Sequence, residues 1–142
     1  MLIGSFQSKI TDGNRVAVPK KLRTELGDRF IVAKWYEQCV VMISLTDWEA
    51  LLQRLTGKQE LLTRAVRDTD RFILGSAFEV EVDRQGRINL PANLSTFANL
   101  SSDVIFLGLG SRVEIWDATI WAKKEGEIAS EAANLLENMS HD

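Results

Sequence analysis

Cysteine, histidine and proline are nearly missing from this 142-residue chain, and each shortage removes a class of function. One cysteine, Cys39, can close no intrachain disulfide and build no thiolate metal site, which agrees with a reducing compartment. The one histidine, His141, is the penultimate residue, a poor place for a general base or a metal ligand. No Cys/His cluster, phosphate-cradling glycine loop or Ser/His/Asp set can be assembled, so no enzyme, cofactor, metal or small-molecule substrate is expected. Two prolines and no low-complexity segment set the chain apart from collagen-like and disordered sequences. There is no stretch of about 18 apolar residues, and Met1 to Lys9 lacks a basic segment followed by an apolar one. No membrane partner is expected, and the location is expected to be cytoplasmic.

What is present is a duplication. Phe6, Ile10, Arg15, Val18, Pro19 and Leu22 are matched by Phe78, Val82, Arg87, Leu90, Pro91 and Leu94, all 72 positions later. Farther on, Val40-Val41-Met42-Ile43 with Thr46-Asp47-Trp48 is answered by Val113-Glu114-Ile115-Trp116 with Thr119-Ile120-Trp121, the offset drifting to 73. An Arg, a Pro and a Trp that keep their places across about 45 residues mark one unit written twice. A composition 45% hydrophobic and 26% charged suits two such lobes sharing one core.

Each copy reads alike. Phe6, Ser8 and Ile10 alternate with polar residues, Thr11-Asp12-Gly13-Asn14 supplies turn chemistry, and Val16 and Val18 resume the alternation, which spells a hairpin. Pro19 fits a first helical position, Leu22 and Leu26 are one turn apart, and Gly27 is a stop, so Pro19 to Leu26 is expected as a short helix. Strands at 30–33 and 39–45 flank a turn at 35–38. Thr46-Asp47-Trp48-Glu49 reads as a capping box opening a helix that Gly57 ends. Leu61, Leu62, Ala65, Val66 and Thr69 suggest a connecting helix. Copy two repeats the plan: a hairpin through Asp83 to Arg87, a helix from Pro91, strands at 104–107 and 112–116, and Gly108-Leu109-Gly110 as a turn. A helix rich in Ala and Leu follows Trp121. The fold class is α+β and β-rich, with repeats at 5–50 and 76–121, a helical connector at 51–75 and a C-terminal helix at 122–142.

The run Asp83-Arg84-Gln85-Gly86-Arg87-Ile88-Asn89-Leu90-Pro91, followed by Gly108-Leu109-Gly110-Ser111-Arg112-Val113-Glu114-Ile115-Trp116-Asp117, strongly resembles the MraZ family of bacterial transcriptional regulators, within the AbrB-like superfamily. The resemblance spans nearly the whole chain. It implies a swapped-hairpin AbrB-like barrel, assembly into a ring-like homo-oligomer, and nucleoid-associated binding of double-stranded DNA at repeated operator elements near the division and cell-wall gene cluster. Copy one departs from the D-x-x-x-R signature: Thr11 holds the Asp position and Asn14 precedes Arg15, so an acidic partner for Arg15 within this turn is in doubt. Trp35, Tyr36 and Glu37 replace the small turn residues usual in the family.

The net charge of -3 argues mildly against nucleic acid, but its distribution is uneven. Residues 9–23 carry Lys9, Arg15, Lys20, Lys21 and Arg23 against Asp12, a net +4, whereas 79–95 carry Arg84 and Arg87 against Glu79, Glu81 and Asp83, a net -1. The first copy is therefore expected to face DNA. Arg15, at the hairpin exit, could reach phosphate or fork onto a guanine edge, or pair with Asp12 on the surface. Asn14 could read a base edge or merely occupy the turn. Lys9, Lys20, Lys21 and Arg23 would meet phosphates or solvent. Arg87 holds the matching position, with an ion pair to Asp83 as the competing role. An assembly module whose basic patch meets an acidic protein is the alternative function. Cys39 is expected in a packed interior, and Trp48, Trp116 and Trp121 in the core or at subunit contacts and not as base-stacking platforms.

Overall fold

The computed structural model of the chain describes residues 1–56 and 63–140; Gly57, Leu61, Leu62 and His141, singled out above, lie outside them. Eight strands form one antiparallel sheet: β1 (Leu2–Thr11), β2 (Arg15–Ala17), β3 (Arg29–Lys34), β4 (Val40–Ser44), β5 (Phe78–Glu81), β6 (Arg87–Asn89), β7 (Asp103–Gly110) and β8 (Val113–Asp117). Their spatial order is β5-β3-β4-β8-β7-β1-β2-β6. The second hairpin joins the two ends of that order, with the Asp83 amide donating to the Arg87 carbonyl at 2.8 Å, so the sheet curls into a nearly closed barrel.

The order shows how the copies share one core. β1 pairs with β7, and its counterpart β5 pairs with β3, so the first strand of each copy is added to the third strand of the other. β2 pairs with β6 and β4 with β8, each strand lying beside its own counterpart. The registers place Val16 opposite Ile88 and Val41 opposite Glu114, which are the equivalent positions of the two copies. A pseudo-twofold axis therefore passes through these two pairs. The swapped-hairpin barrel implied by the family resemblance is the fold.

The interior is filled by equivalent residues from both copies: Val16 and Ile88, Val18 and Leu90, Leu22 and Leu94, Val32 and Phe106, Met42 and Ile115, all buried. Each fully buried Leu, Ile or Phe of this set stabilises the fold by about 1.5–3 kcal/mol. Leu22 and Leu26 reach the core from α1 (Lys20–Leu26), which Gly27 ends with its amide on the Arg23 carbonyl. Pro19 precedes the helix rather than beginning it, because its ψ of 133° is extended. Leu94 comes from the matching α4 (Ala92–Phe97), again entered through a proline, Pro91.

Outside the barrel, α2 (Leu45–Thr56) and α3 (Arg64–Ile73) cover β3 and β4, packing Trp48, Leu51, Phe72 and Ile73 on Ala33, Val41 and Ile43. The cap of α2 is Ser44, whose hydroxyl accepts the Asp47 amide at 3.2 Å, not the expected Thr46. The strand carries its pairing to Ser44 and the helix starts at once, leaving Thr46 inside the first turn. Asp117, the counterpart of Ser44, caps α5 (Ala118–Ser140) by accepting the Ile120 amide and the Ser101 amide and hydroxyl. That helix begins before Trp121, four residues ahead of the expected start at 122. Gly108, Leu109 and Gly110 are not a turn but the end of β7, pairing with Gly4, Ile3 and Leu2. A Cβ on Gly108 would lie 2.6 Å from the Ile3 nitrogen, so only glycine admits β1 this closely.

On the second outer face Cys39, Leu107 and Trp116 pack with Trp35 and Trp121. Burial pushes the Cys39 thiol far above its ordinary value, chiefly by desolvation and then through the nearby Glu114, so it behaves as a small hydrophobe. Glu114 is buried but satisfied, accepting from the Trp116 indole at 3.0 Å and from Arg112 Nε at 3.1 Å. The Arg112 guanidinium lies over the Trp35 ring at 5.8 Å, and Tyr36 meets that ring edge-on at 5.0 Å. Trp35 and Tyr36 of the bulky turn thus flank a half-buried charge pair.

Candidate nucleic-acid interface

The alternation that buries Val16 and Ile88 sends Arg15, Ala17, Arg87 and Asn89 to the opposite, outward face of β2 and β6. Arg15 lies across from Asn89, and Arg87 across from Ala17. The two arginines are thus diagonal neighbours about the pseudo-twofold axis, with Cα atoms roughly 8 Å apart for an antiparallel ladder.

Antiparallel pairing also sends the two hairpin tips in opposite directions. The Leu90 amide donates to the Asn14 carbonyl at 2.8 Å, so the first tip sits at the entry to α4. The Val18 amide donates to the Gly86 carbonyl at 2.9 Å, so the second tip sits at the entry to α1. The contiguous basic run of residues 9–23 is thereby divided. Arg15 and Asn14 stand at one end of the ladder, while Lys20, Lys21 and Arg23 stand at the other, beside Arg84 and Arg87 of copy two.

The tips differ in chemistry as well as place. In the second, Asp83 Oδ1 accepts the Gln85 and Arg87 amides at 2.8 and 3.0 Å, and Oδ2 lies 3.4 Å from Arg87 Nε. These contacts, the Arg87 amide foremost, hold the Asp83 carboxyl below its ordinary value. In the first tip the Thr11 hydroxyl donates instead to the Arg15 carbonyl at 3.2 Å and offers the guanidinium nothing. Arg15 is exposed and makes no ion pair with a described residue, so the surface pair with Asp12 is not formed. Gly13 and Asn14 both take left-handed backbone, at φ +78° and +59°, which Asn tolerates through its short polar side chain.

Of the other basic residues, Lys20, Lys21 and Arg84 are exposed and make no ion pair with a described residue. Lys9 lies 3.4 Å from Asp103, both well exposed, and such a pair is worth little. Arg87 is half-buried and faces Asp83, so its pairing role and its outward position coexist. Arg23, also half-buried, turns to the second tip: Nε donates to the Val18 carbonyl at 3.0 Å and its guanidinium lies flat against Gly86. Sequence reasoning passed over Arg84 and Asn89. Asn89 carried a signal, since it stands two residues from Arg87 on the same face of a period-2 strand, whereas Arg84 carried none until β2 was known to pair with β6.

Comparison with known proteins follows this geometry. A family model described as "MraZ protein, putative antitoxin-like" matches residues 73–140, the second repeat and the C-terminal helix. A "Transcriptional regulator MraZ" of Thermoanaerobacter pseudethanolicus is 41% identical over 121 residues, covering 85% of this chain and 84% of that one. Proteins of the same name from Caldanaerobacter subterraneus subsp. tengcongensis and Limosilactobacillus fermentum are 36% and 37% identical, covering 99% and 92% of this chain and 99% and 91% of their own.

Proposed function

Because the chain belongs to the MraZ family, we propose that it is a DNA-binding transcriptional regulator whose outward β2–β6 face, with the hairpin tips at either end, meets the duplex. The observation that carries this reading is the exposed Arg15, without an ion pair among the described residues, set diagonally to Arg87 on one solvent-facing ladder. Arg15 and Asn14 protrude at a tip where a fork-shaped donor or an amide can reach a base edge. Lys20, Lys21 and Arg84 are placed for phosphates, each neutralised phosphate contributing about 0.9 to the slope of log affinity against log salt. Lys9 stands at the rim. The relatives carry the name of a regulator, not of an enzyme.

Overall charge is acidic, so one chain with a handful of phosphate contacts binds weakly, and repeated operator elements read by a ring-like homo-oligomer supply the rest. Linked modules gain roughly 10²–10⁴ when their spacing matches the sites. Exposed Ile128, Leu135, Leu136 and Met139 along the free end of α5 give such an assembly apolar surface to bury. A cytoplasmic, nucleoid-associated location follows from this reading.

The test is a titration of duplexes carrying single and repeated candidate sites at several salt concentrations, with Arg15→Ala alongside. The variant is expected to lose about 100-fold or more in affinity for the repeated site while its circular dichroism and mass in solution are unchanged. Undiminished binding by Arg15→Ala sinks the assignment. A flat salt response turns the basic surface towards an acidic protein partner instead.

A further inference from the structure

Arg23 is the one half-buried cation of the basic run; Lys9, Arg15, Lys20 and Lys21 are exposed. It leaves α1 of the first repeat and crosses to the tip of the second. Its Nε donates to the Val18 carbonyl, while the Val18 amide donates to the Gly86 carbonyl. A Cβ built on Gly86 would lie 2.7 Å from Arg23 Cζ and 2.9 Å from one terminal nitrogen, so the guanidinium occupies the space a side chain would need. Gly86 also has φ +79°, so the site demands glycine twice over. One arginine thus clamps helix and hairpin together through the same short peptide segment.

The pseudo-equivalent place has no such clamp. Seventy-two positions on from Arg23 is Ser95, whose buried hydroxyl donates to no acceptor, and the counterpart of Gly86 is Asn14. Among the described residues the first tip is therefore held at the entry to α4 by the Leu90 amide, and the second is held to α1 by both a backbone bond and a guanidinium. Lys20 precedes Arg23 by three residues and shares its helix face, and Arg84 precedes Gly86 by two in the clamped turn.

We propose that Arg23 is a positioning residue, not a phosphate ligand: it seats the second hairpin tip on α1 so that Lys20 of one repeat and Arg84 of the other form a single phosphate-binding surface. This rests on the DNA-binding reading above. It makes the two ends of the interface unlike: a composite, braced cationic end grips backbone, and an unbraced end carrying Arg15 adapts to base edges. Lysine cannot replace Arg23, because an ammonium has no planar face to lie on Gly86 and no Nε set for the Val18 carbonyl.

Three measurements on the full-length protein test this. Amide hydrogen exchange of the free protein needs no DNA: Arg23→Ala and Arg23→Lys are both expected to speed exchange at Arg84 to Arg87 about tenfold, while core amides of β4 and β8 stay as in the wild type. With duplex DNA, both variants are expected to lose about tenfold in affinity with the salt slope changed by less than about 0.5, whereas Lys20→Ala lowers the slope by about 0.9. Arg23→Lys binding like the wild type, or Arg23→Ala lowering the slope by a full contact with exchange at the tip unchanged, overturns the proposal and makes Arg23 an ordinary phosphate contact. Faster tip exchange in a wild-type-like fold that binds no DNA keeps the clamp and removes the regulatory reading instead.

Discussion

The two hairpin tips are built from one template and have come to differ at three positions that matter: Thr11 against Asp83, Asn14 against Gly86, and Ser95 against Arg23 as the residue facing each tip from the neighbouring helix. Each difference acts in the same direction. At the second tip a carboxylate gathers two amides and leans on Arg87, glycine removes the Cβ, and a guanidinium fills the gap. At the first, a hydroxyl makes one bond, asparagine holds the turn, and Arg15 stands free of ion pairs with the described residues. Rigidity and neutralisation have gone to one copy, reach and unpaired charge to the other. A repeated fold need not mean a repeated function.

That contrast can be attacked at several levels. The core, where the copies remain equivalent, should yield the largest effect: Leu22→Ala and Leu94→Ala are each expected to destabilise by about 2–5 kcal/mol in denaturant unfolding, and by similar amounts. A clear inequality would show that the asymmetry extends into the barrel. At the surface, Arg15→Ala is expected to weaken operator binding about 100-fold and Arg87→Ala only a few-fold, read in the same titration. Equal losses would erase the division of labour. Thr11→Asp gives the first turn the carboxylate of the second; pairing with Arg15 should then weaken binding by about two- to fivefold, the range of an exposed ion pair. Unaltered affinity would show that Arg15 is not engaged by such a partner even when one is offered.

The smallest effect concerns the helix caps, where Ser44 and Asp117 hold equivalent places. Burial pushes the Asp117 carboxyl up, but the Ser101 hydroxyl and amide and the Ile120 amide more than offset it, and the group titrates below its usual 3.8. Its folded-state value is depressed, so its contribution is complete above the unfolded value near 3.8 and is lost as pH falls through the lower folded one. Exchange at the first turn of α5 should accelerate in that acid window while the first turn of α2, capped by a hydroxyl, does not respond. Asp117→Asn should abolish the difference; persistence of the acid response would assign it elsewhere.

Much of the fold was legible because alternation and turn chemistry are local. The strand around Val16 and the glycine stop at Gly27 are each read within a few residues, and the duplicated core follows from the 72-residue offset. Partner choice is not local, and nothing in the periodicity says whether β1 adds to its own copy or the other; family resemblance supplied that. The same gap explains the basic run, read as one patch on copy one, since only the β2–β6 pairing separates Arg15 from Lys20 and brings Arg84 to the latter. Arg23 resembled its neighbours in sequence and differs only because Gly86 leaves it room. Ser44 was overlooked as a cap because Ser44-Leu45-Thr46-Asp47 and Thr46-Asp47-Trp48-Glu49 offer the same chemistry two residues apart. Glu114 sat in an apolar strand whose pattern gave no hint of the indole and guanidinium awaiting it.

The exchange of first strands has a consequence for synthesis. β1 is synthesised before the strands it joins, yet its longest partner, β7, spans Asp103–Gly110, so Leu2 waits for Gly110 and Lys9 for Asp103. At about 5–20 residues per second that interval is several seconds, during which Leu2, Phe6 and Ile10 have no barrel to enter. An unpaired ten-residue edge strand of this kind is where a nascent chain meets a neighbour from the same polysome, and a β7 from that neighbour would fit it as well as its own. The covalent joining of the copies raises the odds of the correct partner, since a tether of about a hundred residues adds only a slowly growing closure entropy and a far higher local concentration.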